Sequence, residues 1–484
     1  VPPPIPISLY ETGLLLLALA LILATYLIAL HVLPATITKR YLVLSTALLG
    51  MVCVCMTVVT SPDIFSYIIY VRMGVIYHLN PLTTVPLQIP HDLVYPYIYW
   101  KDQPSAYGPI WIVISGTLQW LAALSDRASI TLMVVALRLL GLVAHLWSVV
   151  LVWSIGGRLQ HSHENTQQRM LATLAFAWNP LLLFEACTNA HNDTVLLLFL
   201  LLALWLITRP STFSLRSAVL VVILLALATC LKVNVVLLFP GYLLFLWTKK
   251  RRMQSIALAL VCYAATIVAL YLPFWGNGAI LNLVHVNPGT YRNINTPAEF
   301  LTHMINSLIN LLGGPKPQEI GSPAETTLHT ICLIIFVLFY AMLCLRPLYT
   351  QYHLRSPLQL IRWMACAWLL YCMIGAPWFW PWYLVTFFGL FALLEAADPL
   401  IGQNIGILKQ GYLPLFLRLL AFSMLGLYCF YPWALYTTTI PWLPDFRLAY
   451  LKGLWAWAVP ALLLFLFACI RSRRRHLIPT SEQP

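Results

Sequence analysis

Charge is what this sequence has least of. Only 9% of its 484 residues are Asp, Glu, Lys or Arg, against about a quarter in a soluble domain. That scarcity excludes an ordinary water-soluble globular chain. Acid is the scarcer sign, with 15 acidic against 28 basic side chains and a formal net charge of +13. The basic residues gather in short segments between apolar runs, so the excess reads as membrane orientation rather than as a nucleic-acid surface. Sustained apolar/polar alternation over ~10 residues is missing, which excludes a transmembrane β-barrel. No CxxC pair occurs, and the eleven cysteines lie almost wholly inside apolar runs. Cys53 and Cys55 are two apart and point to different sides of a helix. They read as small apolar packing residues, which leaves no disulfide framework or zinc site. No soluble domain and no internal repeat stands out.

What is present is hydrocarbon. Hydrophobic residues make up 61% of the chain, collected into runs of roughly 17 to 25 residues, the length a helix needs to cross ~30 Å of lipid. The expected fold is an all-α, polytopic transmembrane helical bundle of about 13 spans, residues 1–484 forming one integral-membrane domain. The first run, 13–33, is longer than a leader-peptide core and has no basic flank before it, so it reads as a span. Lys39-Arg40, Lys249 to Arg252, the Arg346 to Arg355 loop and the Arg471 to Arg475 tail mark the inner side. Threading between these markers puts two large loops outside, 61–128 and 274–325. The turn "TNAHND" (188–193) falls on the same side. Parity requires that the apolar stretch 107–124 does not cross. It is expected as a juxtamembrane or re-entrant helix buried against protein, where such backbone is tolerated. The stretch "SPDIFSYIIYVRMGVIYHLNP" (61–81) is expected as a helix lying at the outer surface.

Polar residues crowd toward that outer side. Asp63 comes with Tyr67 and Arg72; His191, Asn192 and Asp193 form a second group; Lys232 stands at the outer end of a span. Each has an ordinary reading beside the functional one. Asp63 and Asp193 each precede a helix and suit N-cap positions, and His191 suits an interfacial belt. Lys232 can snorkel to headgroups or hold a lipid phosphate. Arg138, His145 and Glu185 are assigned to structural pairing first, with Arg138 facing the cavity or an acid. Arg292 and Lys316 in the second outer loop are further phosphate contacts or solvated charges. "PWFWPWYL" (377–384) and "YPYIY" (95–99) are aromatic belts or sugar-stacking surfaces.

Taken in order, "SPDIFSYIIYVRMGVIYHLNPLT" (61–83), "AYGPIW" (106–111), "WNPLLLFEACTNAHNDTVLL" (178–197), "LKVNVVLLFP" (231–240) and "PWYL" (381–384) resemble the type C (GT-C) integral-membrane glycosyltransferases. They are most similar to the bacterial polyprenol-phosphate-mannose-dependent α-mannosyltransferases, over roughly residues 60 to 390. The resemblance implies that Asp63 is the general base on the acceptor hydroxyl, that Asp193 is a second acidic residue of the same site, and that Lys232 lies near the donor phosphate. Tyr67, Arg72, Tyr107, His191, Asn192, Arg292 and Trp382 are the accompanying substrate-binding candidates. This sequence departs from many relatives in having an extra helix before the one that delivers the first aspartate. It also lacks an Asp-x-Asp or Glu-x-Asp pair at residue 63, so no metal and no other cofactor is expected. The implied reaction is inverting transfer of mannose from a polyprenyl-phosphate donor to a glycan or glycolipid hydroxyl, on the extracytoplasmic face of the plasma membrane. The expected partners are that donor, that acceptor and membrane lipid, with no nucleic acid. A transporter or flippase of lipid-linked sugar is the rival class. It calls for paired broken helices and mid-membrane charges, where this chain has polar residues at one face. A non-catalytic assembly subunit is the other.

Overall fold

The computed structural model describes residues 9–35, 37–57, 60–125, 129–160, 166–209, 214–249, 252–282, 292–314, 321–350, 353–398, 401, 411–430, 443 and 446–477. Lys316 lies outside them. In chain order the helices are α1 (Leu9–Val32), α2 (Lys39–Cys55), α3 (Asp63–Val75), α4 (Pro109–Ser125), α5 (Ile130–Leu159), α6 (Thr166–Ala177), α7 (Pro180–Leu183), α8 (Asp193–Ile207), α9 (Leu215–Leu231), α10 (Phe239–Trp247), α11 (Arg252–Tyr271), α12 (Pro297–Leu311), α13 (Pro323–Tyr349), α14 (Pro357–Leu370), α15 (Leu384–Ala397), α16 (Tyr412–Leu427) and α17 (Lys452–Leu477). Among the described residues the β features are an isolated bridge between Ile294 and Trp378 and a bridge residue at Arg447. The helix starts follow local chemistry. Thr38, Ser129, Ser214, Thr296, Ser322 and Ser356 each accept a hydrogen bond from the first turn they precede, satisfying donors that have no helical partner.

Each of the thirteen expected runs is helical over most of its described length, but the runs are not equivalent. Seven helices have the length and apolarity to cross a bilayer, or eight if 166–177 and 180–188, bent by 46°, count as one span; five more apolar helices have only 10–17 residues. Helix α2 stops at Cys55, short of the segment that carries Asp63. The bend falls at "WNP", where Pro180 cannot continue the ladder and the Asn179 side chain caps the restart at the Leu181 N–H. A π-turn over Phe184–Thr188 and a positive φ at Ala190 then swing the chain to Asp193.

The segment after Thr60 differs from expectation in its surroundings. It is helical, but α3 is not a surface helix: Ile64 and all of Ser66 to Met73 are buried. It lies between α4 and α5. Its neighbour α4 is fastened at its start, where the Gly108 N–H donates to the Leu231 carbonyl (3.2 Å) at the end of α9. A Cβ on Gly108 would overlap the Cys230 carbonyl, so this approach needs glycine. The segment that follows Thr60 therefore folds back into the bundle at the level of Lys232.

Candidate active site

Asp63 is the first helical residue of α3, and Pro62, not Asp63, occupies the cap position. The Asp63 N–H is satisfied by the Ser61 hydroxyl at 3.3 Å. The N-cap reading of Asp63 therefore fails, and its carboxylate is released for other work. It turns to the Tyr107 hydroxyl, 3.4 Å from Oδ2. Enclosure pushes the Asp63 carboxyl up to about 6. The Lys232 charge and the Tyr107 hydrogen bond oppose that rise, and the nearby Asp193 charge adds to it. This is the range in which a buried carboxylate serves as a base near neutral pH.

Asp193 is likewise the first residue of its helix, with Asn192 at the cap position and no side-chain cap. It is fully buried, and Lys232 Nζ lies 2.9 Å from both of its oxygens. Lys232 ends α9 and sits 4.2 Å above the Tyr383 ring, so it points inward and does not snorkel. Asp63, Asp193 and Lys232 thus share one electrostatic neighbourhood, brought from three separate segments.

Aromatic and amide groups close around them. Tyr67 is one helical turn from Asp63 and on the same face. Its hydroxyl lies 3.1 Å from His191 Nδ1, and its ring meets Tyr107 and Trp111 edge-on. Burial keeps the Tyr67 and Tyr107 phenols well above their usual range, hence protonated. His191 stacks on Trp382 with centroids 3.9 Å apart. Burial and the Lys232 charge hold its imidazole well below the usual range, so it is neutral. Its Nε2 is 3.4 Å from Glu185 Oε2. Asn192 and Thr194, on either side of Asp193, are buried with no hydrogen-bond partner for their side-chain polar atoms. The Asn192 amide and the Thr194 hydroxyl are therefore available to hydrogen-bond a ligand.

Arg72 does not join this group. It lies nine residues beyond Asp63, half a turn round and ~13.5 Å along the helix, and its Nε makes a buried 2.9 Å ion pair with Asp92. Tyr77 donates to the same carboxylate at 3.0 Å. Its expected place at the substrate is therefore replaced by a structural one. Among the described residues Arg138 pairs with no acid. It donates to the Val54, Met56 and Thr188 carbonyls. Arg292 is partly buried, two residues before Ile294, whose backbone pairs with Trp378. His145 is held by the Ala177 carbonyl at 3.0 Å.

Four contributors were not singled out from the sequence as site residues. Glu185 accepts from Asn189 (3.0 Å) and Tyr428 (2.8 Å) and backs His191. Tyr383, beneath Lys232, belongs to "PWYL" and had that signal. Asn189 lies in the turn "TNAHND" and shared that signal, whereas Tyr428 had none, since it is 243 residues from its partner Glu185. Among the described residues no three His, Cys, Asp or Glu side chains gather as metal ligands would.

Residues 6–249 match the family profile described as "Alpha-(1->6)-mannopyranosyltransferase, N-terminal domain", slightly more than half of the chain. Curated protein sequences give no match. Among solved structures the chain is similar to the oligosaccharyltransferase of Archaeoglobus fulgidus in its apo form. There the TM-score is 0.41 and identity 12%, covering 81% of this chain and 56% of that one. The same archaeal enzyme tethered to an acceptor peptide containing the NVT sequon gives a TM-score of 0.40 at 11% identity, covering 81% and 55%. The chain thus spans about half the length of these solved proteins.

Proposed function

Since the chain belongs to the alpha-(1->6)-mannopyranosyltransferase family, we propose that it is an inverting glycosyltransferase that moves mannose from a polyprenyl-phosphate donor to the hydroxyl of a glycan or glycolipid. The observation that carries this reading is the convergence of Asp63 with the Asp193–Lys232 pair, beside the unpaired polar atoms of Asn192 and Thr194.

Asp63 takes the proton of the acceptor hydroxyl as that oxygen bonds to the anomeric carbon. The bond from that carbon to the donor phosphate breaks on the opposite side, and the phosphate leaves with the electron pair. A β-linked donor then gives an α-linked product. Lys232 is the cation for the growing negative charge; its ammonium has three donors, two of them aimed at Asp193. Asp193 fixes that ammonium and adds a negative field beside the cationic sugar centre, as carboxylates do in glycoside hydrolysis. Asn192 and Thr194 offer neutral hydrogen bonds to sugar hydroxyls. A lysine and amide donors meet a monophosphate without a metal, so the reaction is written as metal-independent. The site is assigned to the extracytoplasmic face of the plasma membrane, in keeping with the basic residues opposite it.

The test is transfer from purified polyprenyl-phosphate mannose to a mannoside acceptor in lipid nanodiscs. Asp63→Asn is expected to lower kcat by roughly 10²- to 10⁴-fold with the fold intact by thermal unfolding. Undiminished transfer by that variant would remove Asp63 from the mechanism.

A further inference from the structure

A file of aromatic rings runs from the carboxylates to the surface. His191 stacks on Trp382 at 3.9 Å; Trp382 stacks on Trp380 at 5.0 Å with planes 4° apart. Trp380 meets Trp378 at 6.4 Å, Trp378 meets Trp100 at 5.6 Å, and Trp100 meets Tyr99 at 4.8 Å. Exposure rises along the file. His191 and Trp382 are buried, Trp380, Trp378 and Trp100 are half-buried, and Tyr99 is 70% exposed.

Three separate segments supply these rings, and a fourth fixes the middle one. The Ile294 N–H donates to the Pro377 carbonyl (2.7 Å), and the Phe379 N–H donates to the Ile294 carbonyl (3.0 Å). The aromatic turn is thereby clamped on both sides of Trp378. The outer rings are not closed sandwiches. Trp378 and Trp100 cross at 53°, and Trp100 and Tyr99 at 85°, so in neither pair does one ring cover the other with a parallel face. Lys101, Asp102 and Gln103 directly follow Trp100 in the chain, and Lys101 Nζ lies 4.7 Å over the neighbouring Tyr95 ring. A lipid-interface belt needs amphipathic rings at one depth. It does not need them end to end, leading inward to a catalytic carboxylate.

We infer that this file is a binding track for an extended neutral glycan acceptor. Its reacting end sits at Asp63, and its earlier sugar units lie against Trp378, Trp100 and Tyr99. Sugar rings present C–H faces to aromatic faces, the sense in which the ring quadrupole attracts positive edges. The spacing between rings is about the width of one sugar, so successive rings can meet successive units. The track makes acceptor length, and not the terminal sugar alone, the quantity the enzyme recognises. This rests on the transferase reading above.

The experiment compares a mannose hexasaccharide with methyl mannoside as acceptors, using polyprenyl-phosphate mannose and enzyme in nanodiscs. Trp378→Ala and Trp100→Ala are expected to raise KM for the hexasaccharide roughly tenfold and to leave KM for methyl mannoside within about twofold. Trp100→Phe should restore most of the loss. If Trp378→Ala does not fold, Trp100→Ala decides. An equal effect on both acceptors, or none on either, overturns the track. So does quenching of Trp100 and Trp378 fluorescence by brominated lipid, which would place them in the bilayer. Should polyprenyl-phosphate mannose give no transfer at all, the donor assignment fails by itself. The track is then judged by hexasaccharide binding read from tryptophan fluorescence: saturable binding weakened by both Ala variants sustains it, and no binding to the unaltered protein overturns it.

Discussion

As the proposed base, Asp63 pulls folding and chemistry in opposite directions. Its carboxyl is raised to about 6 by enclosure, against about 3.9 in an unfolded chain. Between those values the folded protein holds a proton that the unfolded one has lost, so this residue's contribution to stability falls as pH rises through that window. Asp63→Asn should therefore raise the melting temperature at pH 8, with the advantage shrinking below about pH 4, while transfer is lost. For the unaltered enzyme, kcat/KM should fall off toward acid with a midpoint near pH 6, about two units above an ordinary aspartate. A pH–rate profile with no limb between 5 and 7 would count against Asp63 as the base. Lys232 is the converse case. Lys232→Met would strand Asp193 in a buried site, at a cost of about 3–5 kcal/mol measurable by thermal unfolding. Adding Asp193→Asn to it should recover most of that stability and none of the activity. Part of this was readable in advance. Asp63 and Tyr67 are four apart and so share a helix face. The same arithmetic takes Arg72 away from that face, and residue type alone had suggested otherwise.

At the scale of elements, the site depends on two close approaches. Gly108 lets α4 begin against the end of α9, carrying Tyr107 to Asp63 and Trp111 to Tyr67. Gly141 of α5 lies against the Ala186 carbonyl of the π-turn, the segment that bears Glu185. A Cβ at either position meets backbone, which cannot move aside. Gly108→Val is expected to cost about 1–3 kcal/mol and to lower activity further by shifting Tyr107; a variant with normal unfolding and normal turnover would show that α4 is not held there. Caps and breaks, such as Ser356 with Gln359 or the proline of "WNP", are local signals that the apolar runs by themselves do not show. The burial of α3 was not legible in the sequence, because a helix of tyrosines and aliphatics is equally at home under lipid headgroups and under protein. Its fate was settled by what α4 and α5 bring to it.

Over the whole molecule, the all-helical membrane architecture was written in the apolar runs, while the number of crossings was not. Helices α8, α9 and α10 are short because the bundle buries them: a helix packed inside protein need not match ~30 Å of hydrocarbon. The polar cluster was legible as a shared side through the placement of basic loops. Its internal wiring was not, because Glu185 and Tyr428, or Tyr67 and His191, are joined only by the tertiary fold. The second outer loop shows the same dependence. Helix α12 turns Glu299, Thr302, Asn306 and Ser307 inward and leaves Leu301, Ile305, Leu308 and Ile309 exposed. Glu299 pairs there with Lys452 at 3.0 Å, fastening the loop to the last helix. Lys452→Met is expected to loosen that contact and to destabilise the protein by about 3 kcal/mol, read as a lower melting temperature, with the pH midpoint of turnover unchanged because Asp63 is not involved.

Arg138 carries a meaning beyond its own hydrogen bonds. One guanidinium takes hold of the Val54 and Met56 carbonyls, where the chain leaves for Asp63, and of the Thr188 carbonyl, where it leaves for Asp193. Both acidic positions are thereby surveyed from a single benchmark inside the protein. A thinner or thicker bilayer tilts helices to match its hydrocarbon, but tilting moves the benchmark and both carboxylates together. The gap between them is then set by the polypeptide more than by the lipid around it.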